Sequence, residues 1–306
     1  MAAIELSRDE DDDALARGLR VVTSVFPDRA VTVADLRGYI EPFPHVCLVA
    51  VVGGEDAGSA LGVAEPELRE ARQAYGTITV LPRHRGEGVG TALYHALSDW
   101  ARSEGFRGFK GNVEEGDEAS LAWTRRRGFE EIGRETRLEL ELAGFEPPPV
   151  DPPASVEIVT WAERPGVARA LYDVYVEAKP DIPGEEDEPV EAFEDWLAHD
   201  MGGPGDRPEA TFVALAGDEV VGYSKFSLTD AQPTVAFHDL TGVRRAWRGR
   251  GVAGALKRTQ LRWAKEHGYE RVSTHNEERN EPIRRLNERY GYRPAPGRIF
   301  VRGPLA

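Results

Sequence analysis

The sequence has a single cysteine and no long apolar run. Cys47 has no partner within the 306 residues for an internal disulfide, and we interpret it as a small apolar core residue of the run Val46–Val52. One cysteine also favours a reducing compartment, the cytoplasm. No stretch approaches the ~20 consecutive apolar residues of a membrane span. The acidic first fifteen residues do not resemble a secretory signal.

Clusters of metal ligands and an excess of positive charge are also lacking. Cysteine and histidine never occur at metal-ligand spacings, so we expect no metal site. Acidic residues number 53 against 38 Lys and Arg, for a formal net charge of −15. This charge disfavours nucleic acid as a partner and is compatible with a cationic substrate. The length suits two globular domains of ordinary size.

One stretch in the second half reverses the local charge. Between Arg244 and Arg258 there are six basic side chains and no acidic one. Gly249 and Gly251 allow the backbone to turn sharply before a predicted helix over 252–267. Free amide N–H groups and the positive end of the helix dipole would therefore meet in a small space. We expect this loop to bind phosphate.

Three phosphate-binding motifs share similar glycine spacing. The run Gly249-Arg-Gly251-Val-Ala-Gly254 spells G-x-G-x-x-G, but that dinucleotide fingerprint needs a βαβ unit, which the flanking segments do not predict. A P-loop needs Gly-Lys-Ser/Thr, and Ala255 follows Gly254. The third motif, Arg-x-x-Gly-x-Gly/Ala, fits the run from Arg248 to Ala253.

The third motif occurs twice. Arg85-Gly-Glu-Gly88-Val-Gly90 stands in the first half, and the same order of strand, loop, helix and strand is predicted around both copies. Between the copies, residues 145–154 contain five prolines, which hold a chain extended and are typical of a linker. We therefore predict two domains, residues 1–147 and 148–306.

The doubled loop resembles the acyl-CoA loop of the GCN5-related N-acetyltransferases, the GNAT superfamily. In that family the later part reads Asn-x-x-Ala-x-x-x-Tyr-x-x-x-Gly-Phe, and Asn280 likewise stands eleven residues before Gly291. The resemblance implies an α+β fold, a mixed and largely antiparallel sheet with flanking helices. The chain would then hold two tandem acyl-CoA N-acyltransferase-like domains.

The resemblance also implies an activity. The expected function is an N-acetyltransferase that moves an acetyl group from acetyl-CoA to a primary amine of a small cationic molecule or peptide, by direct attack in the C-terminal domain. The alternative is a non-catalytic module that binds or senses acyl-CoA. The expected partner is the amine acceptor, without nucleic acid or membrane, and the chain would be a monomer with an internal pseudo-dimer or a homodimer.

The family's CoA contacts carry over to residues of both loops. The backbone N–H of Val243 or its neighbour would polarise the thioester oxygen. In the second half the implied CoA-binding residues are Leu240, Thr241, Val243, Arg248, Gly249, Arg250, Gly251, Val252, Ala253, Gly254, Asn276 and Asn280. In the first half the implied secondary set is Val80, Arg85, Gly86, Gly88 and Gly90.

The strand that enters the second loop carries two candidates for the general base. Alignment on the loop arginines pairs His238 with Tyr75 and Asp239 with Gly76, so the second half has two titratable candidates where the first half has tyrosine and glycine. Strand alternation predicts that His238 and Asp239 face opposite sides. It also groups Asp239 with Thr241 and Val243, and His238 with Leu240 and Gly242. His275, on the next strand, is the third candidate.

The family's usual general acid, a tyrosine, is missing from both halves. Its position holds Asn287 in the second half and Thr124 in the first. Tyr290 is a possible substitute, with core packing as the alternative role. The first half also has Glu87 inside its loop and Asp117 at the asparagine position, and both would repel phosphate. We therefore predict that the C-terminal domain is catalytic and the N-terminal domain degenerate.

Residues 181–200 contain nine acidic side chains and no lysine or arginine. In the family, the segment at this place borders the acceptor pocket. One hypothesis is that Glu185, Glu186 and Glu188 attract a cationic amine. The other is that they form a solvated acidic edge.

Overall fold

In the computed structural model, the chain runs twice through a similar order of helices and strands. The structure describes residues 3–8, 11–182, 190–277 and 281–306. The strands are β1 (Ile4–Ser7), β2 (His45–Val52), β3 (Glu55–Val63), β4 (Gln73–Val80), β5 (Gly108–Glu114), β6 (Glu130–Glu141), β7 (Glu157–Thr160), β8 (Asp206–Ala216), β9 (Glu219–Ser227), β10 (Val235–Val243), β11 (Arg271–Glu277) and β12 (Arg293–Pro304). The helices are α1 (Asp12–Val25), α2 (Val33–Ile40), α3 (Pro66–Arg69), α4 (Val89–Ser103), α5 (Glu118–Arg125), α6 (Ala168–Ala178), α7 (Phe193–His199), α8 (Val252–Glu266) and α9 (Glu281–Arg289).

The chain forms two compact units. The first unit consists of Met1–Arg134, Asp230–Gln232 and Arg298–Ala306, and the second unit of Glu135–Thr229 and Pro233–Gly297. These limits differ from the predicted division at residues 147 and 148 because each unit includes a strand from the other half of the sequence. The predicted boundary remains a prediction about the sequence repeat.

Each unit contains a mixed, largely antiparallel sheet, which confirms the predicted fold class. In the first unit the strand order is β1-β2-β3-β4-β5-β12, and only β4 and β5 run parallel. In the second unit the order is β6-β11-β10-β9-β8-β7, and only β10 and β11 run parallel.

The parallel pair in each sheet is short. Residues 73–75 of β4 pair with 108–110 of β5, and residues 235–237 of β10 pair with 271–273 of β11. Both β4 and β10 continue beyond these pairs, to Val80 and Val243. The separation of the parallel strands leaves backbone groups of β4 and β10 available to a ligand, directly before each glycine loop.

The last strand completes the first unit. Its residues Ile299 and Val301 pack against Val113 and Leu121 in a separate buried cluster. Residues 298–304 also pair with the whole of β5. The C-terminal end of the chain therefore contributes both hydrogen bonds and apolar contacts to the unit that holds the N-terminal half.

A lysine is buried in the core of the second unit. Lys257 of α8 is 1% exposed, and its Nζ lies 3.1 Å from Nδ1 of His238 and 4.8 Å from the ring centroid of Tyr292. Burial lowers the pKa of Lys257 to about 7, because an ammonium without water is costly in a low dielectric. Burial, and then Lys257, lowers the pKa of His238 well below its usual value.

A substitution at Gly303 of β12 tests how tightly the last strand is packed. A Cβ at this position would lie 2.3 Å from the ring of Phe129, so Gly303→Ala should destabilise the protein by about 1–3 kcal/mol through overpacking. The matched control is Gly133→Ala in β6, where a Cβ meets no atom within 4 Å. Urea unfolding of the two variants measures the difference. Equal stability would contradict the packing of β12 described above.

Lys257 should make stability depend on pH. Its lowered pKa means that above pH 7 the unfolded chain holds a proton that the folded chain has released, so stability should rise between pH 7 and about pH 10. Lys257→Met removes this titration and should flatten that rise. Urea midpoints at pH 7 and 9.5 measure it, with Lys265→Met at a partly exposed position as the control. A rise that persists in Lys257→Met would show that another group causes it.

Candidate functional site

The two glycine loops adopt the same backbone conformation. Gly86 and Gly88 have φ values of 85° and 94°, and Gly249 and Gly251 have 72° and 92°. Glycine adopts this left-handed region without the strain that a side chain would bring. Helices α4 and α8 begin directly after the second glycine of each loop, and neither has a side-chain hydrogen bond at its N-cap. Their first-turn N–H groups can therefore bind an anion.

Acidic groups hold the arginines of the second loop. Arg248 Nε donates to the Val243 carbonyl at 2.9 Å, which folds the side chain back along the end of β10. Its Nη1 pairs with Asp181 at 2.6 Å, and Arg245 pairs with the same carboxylate at 3.0 Å. The predicted cluster of positive charge is thus partly neutralised by an acid that follows α6. The sequence stretch 244–258 gave no sign of this pairing.

In the first loop, Arg85 Nε makes the equivalent bond to the Val80 carbonyl, at 3.4 Å, but the acidic partner comes from a different segment. Arg85 pairs with Asp117 at 3.5 Å, and His84 lies 2.9 Å from Glu87. Asp117 also accepts hydrogen bonds from the N–H and hydroxyl of Ser120, so it caps the start of α5. Burial alone would raise the pKa of Asp117. The hydrogen bonds from Ser120, together with the charge of Arg85, outweigh burial and lower the pKa. Its negative charge therefore has a local structural role.

A cavity of about 350 Å³ lies in the first unit. It follows the opening between β4 and β5, and Val80, Arg85, Gly86 and Gly90 of the predicted secondary set line it together with Asn112 and Glu114. Arg29 also lines it, and its guanidinium donates to Asn112 at 3.0 Å and to Glu114. The cavity thus extends from the first glycine loop to a polar group on β5.

A bulge in β10 changes the predicted alignment of the two halves. His238 pairs with Phe226 and Thr241 with Ser224, so the two residues between them oppose Lys225 alone. In the first unit the pairing of β3 with β4 is regular, and Gly76 pairs with Gly62. Counted by strand pairing, His238 therefore corresponds to Gly76. The predicted pairs, His238 with Tyr75 and Asp239 with Gly76, are wrong by one residue because the bulge adds one.

The bulge also changes which side chains share a face. His238 Nε2 lies 3.1 Å from Thr241 Oγ1, and Val243 packs with α8 in the same core. Asp239 contacts Lys225, and Leu240 packs with the core of α6 and α7. The prediction that His238 and Asp239 face opposite sides is thus consistent with these contacts. The two predicted groupings, Asp239 with Thr241 and Val243 and His238 with Leu240 and Gly242, are wrong, because a bulge interrupts strand alternation.

Asp239 belongs to a cluster of three carboxylates around one ammonium. Lys225 Nζ lies 2.9 Å from Asp239, 2.9 Å from Asp206 and 3.6 Å from Asp200. Lys225 is 3% exposed, whereas the Asp239 side chain is 37% exposed. Burial alone would lower the pKa of Lys225. The three carboxylates, of which Asp239 contributes most, outweigh this effect and raise the pKa. The cluster thus carries two net negative charges when all its members are ionised.

Partial desolvation raises the pKa of Asp200 to about 6; Lys225 opposes this rise, and the neighbouring Asp239 and Asp206 add to it. The Asp200 side chain is 42% exposed, so it remains in contact with solvent. A carboxyl that titrates near pH 6 can exchange a proton near neutrality. Sequence reasoning missed Lys225, Asp200 and Asp206. The available signal was the lysine in the middle of β9, which lies among apolar residues and needs a charged partner when buried.

The other catalytic candidates lie in different surroundings. His238 is 4% exposed and faces Lys257 in the core, away from the Asp239 cluster. The His275 ring is 5.2 Å from Phe237, between β10 and β11. Tyr290 is buried, donates to the Gly254 carbonyl at 3.3 Å and accepts from Arg258 at 3.2 Å. These contacts favour the packing role for Tyr290, with its hydroxyl at the first turn of α8.

The predicted CoA-binding residues of the second half follow the chain from β10 into α8. Val252 is 1% exposed, so its backbone alone can reach a ligand. The Arg250 guanidinium stacks 5.1 Å from the Trp247 ring centroid. Asn276 lies in β11 opposite Thr136. Asn280 and the acidic residues Glu185, Glu186 and Glu188 lie outside the described residues.

Comparisons with known proteins agree with this architecture. The Acetyltransferase (GNAT) family matches residues 15–129 and 168–292. A mycothiol acetyltransferase from Nocardiopsis dassonvillei is 26% identical over 267 residues, which cover 77% of this chain and 76% of that protein. No helix within the described ranges has the length and hydrophobicity to cross a membrane.

Solved structures share the fold. A GCN5-related N-acetyltransferase from Sphaerobacter thermophilus superposes with a TM-score of 0.75 at 22% identity, covering 99% of this chain and 96% of that one. A tandem GNAT protein from the clavulanic acid biosynthesis pathway superposes with a TM-score of 0.76 at 19% identity, covering 99% of both chains. The family match to both halves and the two glycine loops lead to one conclusion: the chain belongs to the acetyltransferase (GNAT) family and is an acyltransferase with two GNAT-like halves.

Proposed function

We propose that the second unit transfers an acetyl group from acetyl-CoA to a primary amine of a small cationic molecule or a peptide. The observation that carries this proposal is the bulge in β10. It turns Asp239 toward an acidic cluster, on the strand that leads into the more basic of the two glycine loops. β-Bulges often re-aim side chains next to active sites.

The second loop fits the pyrophosphate of CoA. Gly249 and Gly251 expose backbone N–H groups, and the uncapped start of α8 adds its dipole. Arg245 and Arg248 supply charged donors next to these N–H groups. The family uses acetyl-CoA, which supplies the activated acyl group, and the Val243 N–H is proposed to donate to the thioester oxygen.

The acidic cluster fits an ammonium acceptor. Its two net negative charges attract a cation, and Asp239, whose side chain is 37% exposed, is the member of the cluster that lies on β10. We propose that Asp239 holds the amine and accepts its proton, so that the neutral nitrogen can attack. No tyrosine occupies the family's general-acid position. Water is therefore proposed to protonate the departing thiolate, which needs little help because thiols have a pKa of about 8.5.

The first unit has a related binding site with different groups. Its β4 is regular, and at the place of Asp239 it carries Thr77 in place of a carboxylate. The cavity nevertheless reaches Arg85 and the glycine loop. We therefore propose that the first unit binds acyl-CoA through Val80, Arg85, Gly86, Gly88 and Gly90 without catalysing transfer.

Substitution of the loop arginine by glutamate in each loop tests which loop binds acetyl-CoA. Ligand that binds only the folded state raises the free energy of unfolding, by about 2.7 kcal/mol at 100 times its Kd. Arg248→Glu should remove most of the rise in melting temperature caused by acetyl-CoA, and Arg85→Glu a smaller part. Loss of the entire rise with Arg85→Glu alone would contradict a CoA site in the second unit.

Asp200 should make acceptor binding depend on pH. Below pH 6 its carboxyl is protonated, because its pKa is raised to about 6, and the cluster loses one negative charge. The KM for an amine found in a screen of polyamines, aminosugars and peptides should therefore rise several-fold from pH 7.5 to 5.5. Asp200→Asn should remove this dependence.

In the same assay, Asp239→Asn should lower kcat at least tenfold, because it removes the proposed proton acceptor. The control is Asp195→Asn on α7, an exposed residue outside the cluster, which should behave as wild type. Full kcat in Asp239→Asn would exclude Asp239 as the proton acceptor.

A further inference from the structure

The carboxylate of Asp181 lies where the second loop presents its charged donors. Oδ1 accepts from Arg245 Nη2 at 3.0 Å, and Oδ2 accepts from Arg245 Nε at 3.2 Å and from Arg248 Nη1 at 2.6 Å. Arg245 thus binds the carboxylate through two parallel bonds. This is the geometry with which a guanidinium also binds a phosphate.

The segment around the end of α6 holds the loop at a second point. Glu177, one helical turn before Asp181, accepts the backbone N–H of Arg245 and lies 3.7 Å from Arg244. Arg248 is in turn fixed to the Val243 carbonyl. The two guanidinium groups therefore converge on one carboxylate, and an incoming phosphate needs the same N–H groups.

We propose that Asp181 is an internal competitor for phosphate in the second loop and sets the affinity of that loop for CoA. This inference rests on the proposed function of the loop. The Asp181 and Arg248 side chains are each 39% exposed. Exposed ion pairs are weak, so a pyrophosphate with more charge and the loop N–H groups can displace the carboxylate.

The first loop also pairs its arginine with an acid, but that acid has a second role. Its acid, Asp117, comes from the start of α5 and also caps that helix through Ser120. Asp181 caps no helix in the described part of the chain, and its side-chain partners there are the two loop arginines. Its release therefore breaks no helix cap. Asp181 thus distinguishes the second loop from the first.

CoA titration by calorimetry tests this inference. The background is Arg85→Glu, which weakens the first loop so that the measured heat comes from the second. On this background, Asp181→Asn should bind CoA about 3- to 10-fold more tightly, because both guanidinium groups become available. Tighter binding cannot result from a merely damaged fold.

The matched control is Asp173→Asn, on α6, the helix that precedes Asp181. Asp173 pairs at 4.0 Å with Arg169 and not with the loop, and its substitution removes the same charge. It should leave the Kd within about twofold. Equal tightening in both variants would mean that net charge, and not competition at the loop, causes the effect.

The two proposals fail in distinguishable ways. If Asp181→Asn binds CoA no more tightly, while Arg248→Glu on the same background abolishes binding, the competitor proposal is wrong and the CoA site stands. If the Arg85→Glu background itself binds no CoA and Asp181→Asn does not restore binding, the CoA site in the second unit is wrong as well.

Discussion

The structure depends on two parallel strands that pair over three residues and then separate. Backbone N–H and C=O groups rarely stay unpaired in a sheet, so this separation creates a place for a ligand. In both units the strands separate just before a loop whose glycines have left-handed φ values, and a 15-residue helix begins directly after that loop. The same backbone constraint thus brings the opening, the loop and the helix dipole together twice.

Charge pairing gives the two openings different chemistry. In the first unit Arg29 faces Glu114 and Asn112 inside the cavity. In the second unit the buried Lys225 pairs with three aspartates, and the bulge places Asp239 of β10 among them. A buried ammonium requires carboxylates nearby, and the surplus of carboxylates leaves a negative site. One repeated fold therefore supports two different electrostatic environments.

Acidic groups also limit how strongly each loop presents its arginines. Asp117 pairs with Arg85 and Asp181 with Arg245 and Arg248. In an acidic chain, an unpaired basic loop would attract carboxylates from its own surface as well as ligands. The affinity of such a loop is therefore set by segments distant in sequence as well as by its own residues.

The sequence by itself determined the repeated glycine loops, because these follow from local glycine geometry and from short patterns of spacing. Through the resemblance that these loops carry, it also predicted the family and the mixed sheet. Only the tertiary structure decided the faces of β10, where one bulge shifts His238 and Asp239 relative to the first half. It also decided that Asp239 pairs with Lys225 of β9, which in turn holds Asp206 of β8 and Asp200 after α7. Arg248 likewise pairs with Asp181, in the segment after α6. Register shifts and long-range ion pairs depend on how distant segments meet, and no local pattern encodes that.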